Sequence, residues 1–212
     1  MYLPEHHREE RMDILHAAIA AAPLATLVSA GEEGLEASHI PLLVDPHPAP
    51  HGALLGHFAR ANAQWKRIAP DQEVLAVFGG PGAYVSPSWY PSKRETGKAV
   101  PTWNYVTVHA YGRIALVEDE TELRALLGRL TERHEGGRPD PWTLADAPEA
   151  YLRALLGAVV GFRMTVTRLE GKWKLSQNRS AADFAGVIAG LEAEGGPAPA
   201  AVAAAMRECG KP

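Results

Sequence analysis

Two short segments of the sequence concentrate side chains that could bind a phosphorylated ligand with a planar ring. The first covers residues 86–105, and the second reads KLSQNR at residues 174–179. Hydroxyl, amide and cationic groups suit a phosphate monoester, because lysine and arginine give it charge-assisted hydrogen bonds. Flat aromatic rings suit a planar ring system, and amides can bind its polar edge. The members of this set are Ser86, Ser88, Trp89, Tyr90, Ser92, Lys93, Thr102, Trp103, Asn104 and Tyr105, together with Lys174, Ser176, Gln177, Asn178 and Arg179.

Motifs for several other chemistries are absent from the sequence. There is no GxGxxG after a predicted strand, and GxxxxGK[ST], HExxH and GxSxG do not occur. Three histidines, His39, His57 and His109, fall on predicted strands and could meet at a metal ion or act as an axial haem ligand. The spacing of these histidines along the chain does not show whether they meet, because they lie on different strands. The alternative is that they are polar residues lining a pocket, and we expect that arrangement and no metal site.

The elements that must position these residues are mostly β-strands. Strands are predicted at residues 24–29, 35–44, 53–58 and 73–78, with a hairpin turn at 31–34 and a Gly-Gly-Pro-Gly turn at 79–82. A loop follows at 87–101, and then a strand whose two faces alternate from Trp103 to Tyr111. A hairpin at 159–175 is predicted to turn at Glu170-Gly171.

Helices are predicted between these strands from the spacing of apolar residues and from caps. They fall near residues 12–22, 61–68, 119–130, 149–156 and 181–194, with an alanine-rich helix in the tail. Asp119 and Ser180 are the predicted N-terminal caps of the third and fifth of these helices. Six or seven strands joined mainly by hairpins argue against a doubly wound parallel sheet. We therefore predict an α+β fold, an antiparallel barrel with peripheral helices. Residues 1–191 are predicted as a single domain and residues 192–212 as the tail.

Composition limits the classes of function. The 212 residues carry a net charge of -4 and one cysteine, whereas proteins that hold duplex DNA usually carry a basic surplus. No helix pair offers a recognition helix, so we predict no sequence-specific DNA affinity for the chain alone. No apolar run approaches the roughly 18 residues of a membrane span, and the charged first segment, which has no apolar core, is not expected to act as a signal peptide. We expect a cytoplasmic protein without membrane contact.

Four strings of the sequence are recognisable as a family pattern. They are GHFARANAQWKRI from residue 56, YVSPSWYPSK from residue 84, VPTWNYVTVHAYG from residue 100 and KLSQNRSAAD from residue 174. Together they closely resemble the PaiB-type FMN-binding negative transcriptional regulators. The resemblance implies a split β-barrel that forms a homodimer and binds FMN in clefts between subunits. Two departures, His7 where phenylalanine is usual and Ala63 where proline is frequent, are expected to lie outside the ligand-binding set.

The resemblance gives the candidate residues roles toward FMN. We expect the phosphate to be held by cations and hydroxyls, with Arg179 the strongest candidate because it precedes the predicted helix cap Ser180. The isoalloxazine is expected near aromatic and amide side chains, and Gln177 and Asn178 at its polar edge. His57 and Arg60 are the next candidates. The predicted cofactor-binding set is Ser86, Trp89, Tyr90, Lys93, Thr102, Trp103, Asn104, Lys174, Gln177, Asn178, Arg179 and His57.

Two further functions remain open at this point. The chain could be an FMN-dependent oxidoreductase acting on a flavin or another small molecule, since the flavin itself performs the difficult chemistry. It could also bind haem through one of the strand histidines. No general acid or base stands out in the sequence, so whether the protein is an enzyme stays undecided.

Overall fold

The computed structural model describes residues 1–32 and 34–210. Glu33 of the predicted 31–34 turn, and Lys211 and Pro212 of the predicted tail, lie outside the described residues. The described residues form eight strands: β1 (Arg8–Glu9), β2 (Leu24–Gly31), β3 (Gly34–Pro41), β4 (Leu43–Asp45), β5 (Ala53–Ala59), β6 (Glu73–Val85), β7 (Thr102–Val117) and β8 (Val159–Lys174).

Seven helices accompany the strands in the described part of the chain. They are α1 (Met12–Ala21), α2 (Gln64–Arg67), α3 (Ser92–Thr96), α4 (Glu120–Glu135), α5 (Glu149–Gly157), α6 (Ala181–Glu194) and α7 (Pro197–Cys209). The predicted caps are confirmed, since Asp119 accepts a hydrogen bond from the Glu122 N–H at 2.8 Å and Ser180 accepts one from Asp183 at 3.1 Å. None of the described helices is both long and apolar enough to cross a bilayer.

The eight described strands belong to one sheet in the order β3-β2-β6-β7-β8-β5-β4, with β1 paired to β8. The registers of β1–β8, β2–β3, β2–β6, β4–β5 and β5–β8 are all antiparallel. The predicted α+β antiparallel fold class is confirmed. The structure has eight described strands where six or seven were predicted. The two-residue strand β1 was too short to be predicted, and Leu42 divides the predicted strand 35–44 into β3 and β4. The Leu42 N–H donates to the Pro23 carbonyl at 2.8 Å instead of continuing the predicted single strand.

The chain divides into two compact units. The terminal unit comprises Met1–Arg11, Gly79–Val108 and the described part of Glu170–Pro212, and the central unit comprises Met12–Phe78 and His109–Leu169. The terminal unit's core joins α6 and α7, including Val202, Ala203 and Met206 of the alanine-rich tail helix. The central unit's core contains the Phe58 and Phe162 rings, whose centroids are 4.9 Å apart.

Two predicted turns are wrong, because the strands run straight through them. The strand β6 continues through Gly79–Gly82; a Cβ on Gly80 would stand 3.1 Å from the Val106 carbonyl oxygen, so glycine permits this close approach of backbone. The strand β8 continues through Glu170-Gly171, where β1 pairs with Gly171 and Lys172 and extends the ladder. The predicted loop 87–101 contains a 3-10 turn (Pro87–Trp89) and α3.

Candidate functional site

Seven residues of the terminal unit line a cavity of about 90 Å³, which we call cavity A. Its lining combines the start of β7, the end of β8, the segment that leads into α6 and one residue near the N-terminus. Five of the twelve predicted cofactor-binding residues meet here. The seven residues are His7, Thr102, Asn104, Lys174, Ser176, Asn178 and Arg179.

Asn104 and Ser176 form the buried polar floor of cavity A. The Asn104 amide donates to the Ser176 hydroxyl at 3.0 Å, and the two side chains are 1% and 5% exposed. Ser176 adopts a φ of 64°, a left-handed conformation that is uncommon for a residue with a side chain. The Arg179 N–H donates to the Ser176 carbonyl at 3.0 Å, which closes a turn. This turn brings Arg179 from the end of β8 to the N-terminus of α6.

Positive charge accumulates at cavity A without a carboxylate in its lining. The Lys174 Nζ donates to the Thr102 hydroxyl at 2.6 Å and also contacts the Trp103 carbonyl. Burial lowers the pKa of Lys174, and the neighbouring charges of Lys172 and Arg179 lower it further. Within the described residues the Arg179 guanidinium makes no hydrogen bond or ion pair and stacks 4.8 Å from the Tyr90 ring centre. Its donors are available to an anion.

His7 is a lining residue that the sequence reasoning missed. It was expected to lie outside the ligand-binding set, but it is 6% exposed and its Nδ1 lies 3.0 Å from the Gln177 Oε1. Because an amide oxygen only accepts, His7 must carry its proton on Nδ1 in this bond. Burial is the largest cause that lowers the pKa of His7; the Gln177 bond opposes it, and His6, Lys174 and Lys172 act with burial. The pairing of β1 with β8 brings this N-terminal segment to the cavity.

Gln177 serves the local structure of the terminal unit. Its Oε1 accepts from the Leu175 N–H at 2.9 Å, and its Nε2 donates to the Trp173 carbonyl at 2.5 Å. Gln177 therefore holds His7 and the turn after β8, and its predicted contact with the polar edge of the ligand stays a prediction.

Residues of the motif SPSWYPSK make several structural contacts in the terminal unit. Trp89 packs into a notch of α6, since a Cβ added to Gly186 or Gly190 would stand 2.2 Å from Trp89 atoms. Ser86 caps the 3-10 turn by accepting from the Ser88 N–H at 3.2 Å. Tyr90 is 2% exposed, and Lys93 is exposed on α3. None of these four predicted residues lines cavity A.

Trp103 is the exposed aromatic residue of the predicted set. Its side chain is 56% exposed, and its ring centre lies 6.4 Å from that of Tyr84, itself 43% exposed. Asn104, Val106, Val108 and Ala110 are buried on the opposite face of β7, which confirms the predicted alternation.

The remaining predicted residue, His57, lies in the central unit. It lines a cavity of about 390 Å³, which we call cavity B, together with His39 and residues of β3 and β5. The His57 Nδ1 is buried without a hydrogen-bond partner in the described residues, and burial lowers the pKa of this imidazole. Asn62 donates to the Ser38 hydroxyl at 2.8 Å in the same lining. Arg60, the other next candidate, donates through Nε and one terminal nitrogen to the carbonyls of residues 157 and 159.

The two cavities differ in the size of group that they can hold. A volume of about 90 Å³ corresponds to roughly three water molecules at about 30 Å³ each, which is space for a phosphate-sized group. Cavity B, at about 390 Å³, falls in the usual range for small-molecule sites, about 300 to 1,000 Å³. The donors of cavity A fit the phosphate of FMN. No group of three or more metal-ligating side chains occurs within residues 1–32 and 34–210.

Comparison with known proteins identifies the family. Residues 1–168 match the family described as "Putative FMN-binding domain". The chain is 34% identical over 197 residues to the protease synthase and sporulation protein PAI 2 of Bacillus subtilis, covering 93% of this chain and 92% of that protein. It is 35% identical over 256 residues to an uncharacterized protein of Aspergillus fumigatus, covering 99% and 98% of the two chains.

A solved structure supports the fold. The FAD and heme binding protein from Mycobacterium smegmatis superimposes with a TM-score of 0.60 at 16% identity, over 91% of this chain and 82% of that chain. At this identity the likeness concerns the fold, which agrees with the predicted split-barrel class. The chain therefore belongs to the PaiB-type family of FMN-binding domains, and FMN is its cofactor.

Proposed function

We propose that this protein is a cytoplasmic homodimer that binds FMN with its phosphate in cavity A and acts in gene regulation through a partner. The observation that carries the site is the cation-rich, carboxylate-free lining of cavity A. The regulatory part is supported by the Bacillus subtilis relative, whose name links it to protease synthesis and sporulation.

The charge at cavity A favours a phosphate. A phosphate monoester carries a charge of about -1.5 to -2 at neutral pH, and a partly desolvated anion needs positive partners. Arg179 offers a guanidinium that makes no hydrogen bond or ion pair among the described residues, and Lys174 adds an ammonium that is already oriented by Thr102. The N-terminus of the 14-residue helix α6 follows directly and contributes a partial positive charge.

The dimer is proposed from exposed aromatic surface. Tyr84 and Trp103 form an exposed aromatic pair in the terminal unit, and Val100 is 65% exposed in the same unit. Exposed apolar surface of this kind is typical of an interface, and a second copy of the chain is the occupant that the family resemblance implies. Sedimentation that finds a monomer at micromolar concentration contradicts this part of the proposal.

Direct reading of DNA by α6 and α7 is not favoured. The helix α7 buries Val202, Ala203 and Met206 against the core, and its Arg207 is paired with Glu192. We expect no sequence-specific mobility shift for the chain alone at about 150 mM salt in the presence of competitor DNA. A shift that survives the competitor contradicts regulation through a partner.

The decisive experiment compares FMN with riboflavin, which lacks the phosphate. Flavin fluorescence is titrated with the flavin-free protein; we expect FMN to bind at least about tenfold more tightly, as one or more charge-assisted bonds require. Equal affinities exclude cavity A as the phosphate site. If the His57→Gln variant then loses affinity for both flavins while Arg179→Ala does not, the flavin lies at cavity B. Turnover of NADH or NADPH with bound FMN identifies an oxidoreductase instead of a regulator.

A further inference from the structure

A third cavity lies in the central unit beside the C-terminal half of α4. Its volume is about 530 Å³, and the segment 141–145 forms its second wall. Trp142 and Leu144 provide apolar lining, and Gly128 leaves open space because a Cβ there would meet only the Leu144 side chain at 3.7 Å. We call it cavity C. It shares no lining residue with cavities A and B.

Hydrogen bonds hold the walls of cavity C in place. The backbone N–H of Trp142 donates to the Glu135 carboxylate at 3.2 Å, which connects the segment 141–145 to α4. The Thr143 N–H and hydroxyl donate to Asp146 at 2.7 and 2.9 Å, which fixes the 3-10 turn Leu144–Asp146. These bonds lower the pKa of Asp146. The cavity is therefore a formed feature of this unit, with a rigid turn opposite a long helix.

The charged groups that line cavity C are all acidic. Glu135 is paired with Arg138 at 3.1 Å and also accepts from Trp142. Glu132 also lines the cavity, and its carboxylate has no partner within the described residues. The C-terminus of α4 lies at the same place, and the carbonyls of a helix C-terminus add partial negative charge. An indole ring and an unpaired carboxylate in the lining of one cavity attract an organic cation through cation–π and ionic contacts.

We propose that cavity C binds a small organic amine that is cationic at neutral pH and carries an aromatic or branched aliphatic body. The apolar body fills the space beside Leu144 and Trp142, and the ammonium group faces Glu132. Size supports this class, since the cavity falls within the range of sites for small molecules. The proposal does not depend on the placement of FMN.

The test is calorimetric titration of the FMN-saturated full-length protein with phenethylammonium chloride. We expect a dissociation constant on the order of 0.1 to 1 mM, as ligands of this size permit, with a shift of the Trp142 indole N–H resonance. The uncharged analogue 2-phenylethanol is expected to bind about fivefold more weakly, because it lacks the ionic contact. Glu132→Gln should weaken the amine by the same factor and leave the alcohol unchanged.

Two further variants complete the design. Gly128→Leu fills the cavity from α4 and should abolish binding of both compounds, while circular dichroism shows that the fold is retained. Glu122→Gln removes a carboxylate from the first turn of the same helix, outside the cavity, and should change nothing. The proposal is overturned if the amine does not bind, if the alcohol binds equally well, or if Glu132→Gln or Gly128→Leu binds the amine like the wild type.

Discussion

Cavity A and cavity B differ in how their buried polar groups are satisfied. In cavity A the Asn104 amide, the Ser176 hydroxyl and the Lys174 ammonium each have a protein partner at 2.6–3.2 Å, and the surplus is positive charge. In cavity B the His57 Nδ1 has no partner among the described residues, and no lysine or arginine lines the space. A satisfied polar network is fixed in geometry before a ligand arrives, whereas an unpaired group is a place where a ligand gains a new bond.

The same contrast separates the buried His7 from the half-buried His57. His7 has Gln177 as a partner and stands among cations, while burial alone lowers the pKa of His57. Burial lowers both pKa values because a charged imidazole is poorly solvated there. The pKa is lowered at both histidines, but only His7 has a side-chain partner to lose among the described residues. Substitutions at the two cavities should therefore differ in their effect on stability.

The largest expected effect is on FMN binding. Arg179→Ala should weaken FMN by about thirtyfold, or about 2 kcal/mol, because a free guanidinium that grips a phosphate is lost. Fluorescence quenching of FMN measures the affinity, and Arg153→Ala, an exposed arginine of α5, is the matched control. If Arg179→Ala binds as the wild type does and remains a folded dimer, cavity A is not the phosphate site.

Asn104→Leu should reduce the free energy of unfolding by about 1 to 3 kcal/mol. The substitution leaves the buried Ser176 hydroxyl without its partner, and an unsatisfied buried group costs about that much. Urea denaturation measures the change. Adding Ser176→Ala to this variant should recover part of the loss; an unchanged or larger loss in the double variant argues that packing, not pairing, dominates at cavity A.

Acidification should destabilise the protein through both histidines. Each native pKa lies below the ordinary value of 6.5, so below pH 6.5 the unfolded chain binds more protons than the native state. Stability is fully present above 6.5 and falls as pH drops toward the native pKa, by at most about 1.4 kcal/mol per pH unit for each histidine. Thermal unfolding between pH 8 and 5 measures the slope. His7→Gln and His57→Phe should each reduce it, and an unchanged slope in both assigns it to other groups.

The smallest effect is expected at cavity B. His57→Phe replaces an unpaired polar ring with an apolar ring, so the free energy of unfolding at pH 8 should stay within about 0.5 kcal/mol of the wild type or rise. Urea denaturation of the two proteins side by side tests this. A loss as large as that of Asn104→Leu shows that His57 has a stabilising partner and removes the contrast between the cavities.

Local patterns of the sequence predicted much of this structure. The alternation along β7 follows from a period of two, and the caps at Asp119 and Ser180 follow from cap residues. Thr102, Asn104, Lys174 and Arg179 were grouped by their side-chain chemistry, and the structure places all four in the lining of cavity A. The side-chain types alone predicted a phosphorylated ligand with a planar ring. The four sequence segments that resemble the PaiB-type family identified that ligand as FMN.

Long-range pairing explains what the sequence did not predict. His7 reaches cavity A because β1 pairs with β8 more than 160 residues away, as in the partners Arg8 and Lys172. The Gly-Gly-Pro-Gly segment at residues 79–82 predicted a turn because glycine and proline favour turns locally. In the structure, the glycine at position 80 instead permits the close approach of Val106 inside a strand. The packing of Trp89 likewise depends on two glycines of α6, Gly186 and Gly190, that follow it along the chain at long range.

At Gly186 and Gly190 of α6, replacement of glycine by alanine is expected to destabilise the protein, although in most helices it is stabilising. Replacing an interior helix glycine with alanine usually gains about 1 kcal/mol, because alanine loses less backbone entropy on folding. At Gly186 the added methyl group would collide with the Trp89 carbonyl at 2.2 Å, and at Gly190 with the indole ring. A stabilisation campaign guided by helix propensity would therefore loosen this helix from its tryptophan at both positions. At Gly128 of α4 the nearest neighbour of an added Cβ is at 3.7 Å, so the ordinary gain is available there.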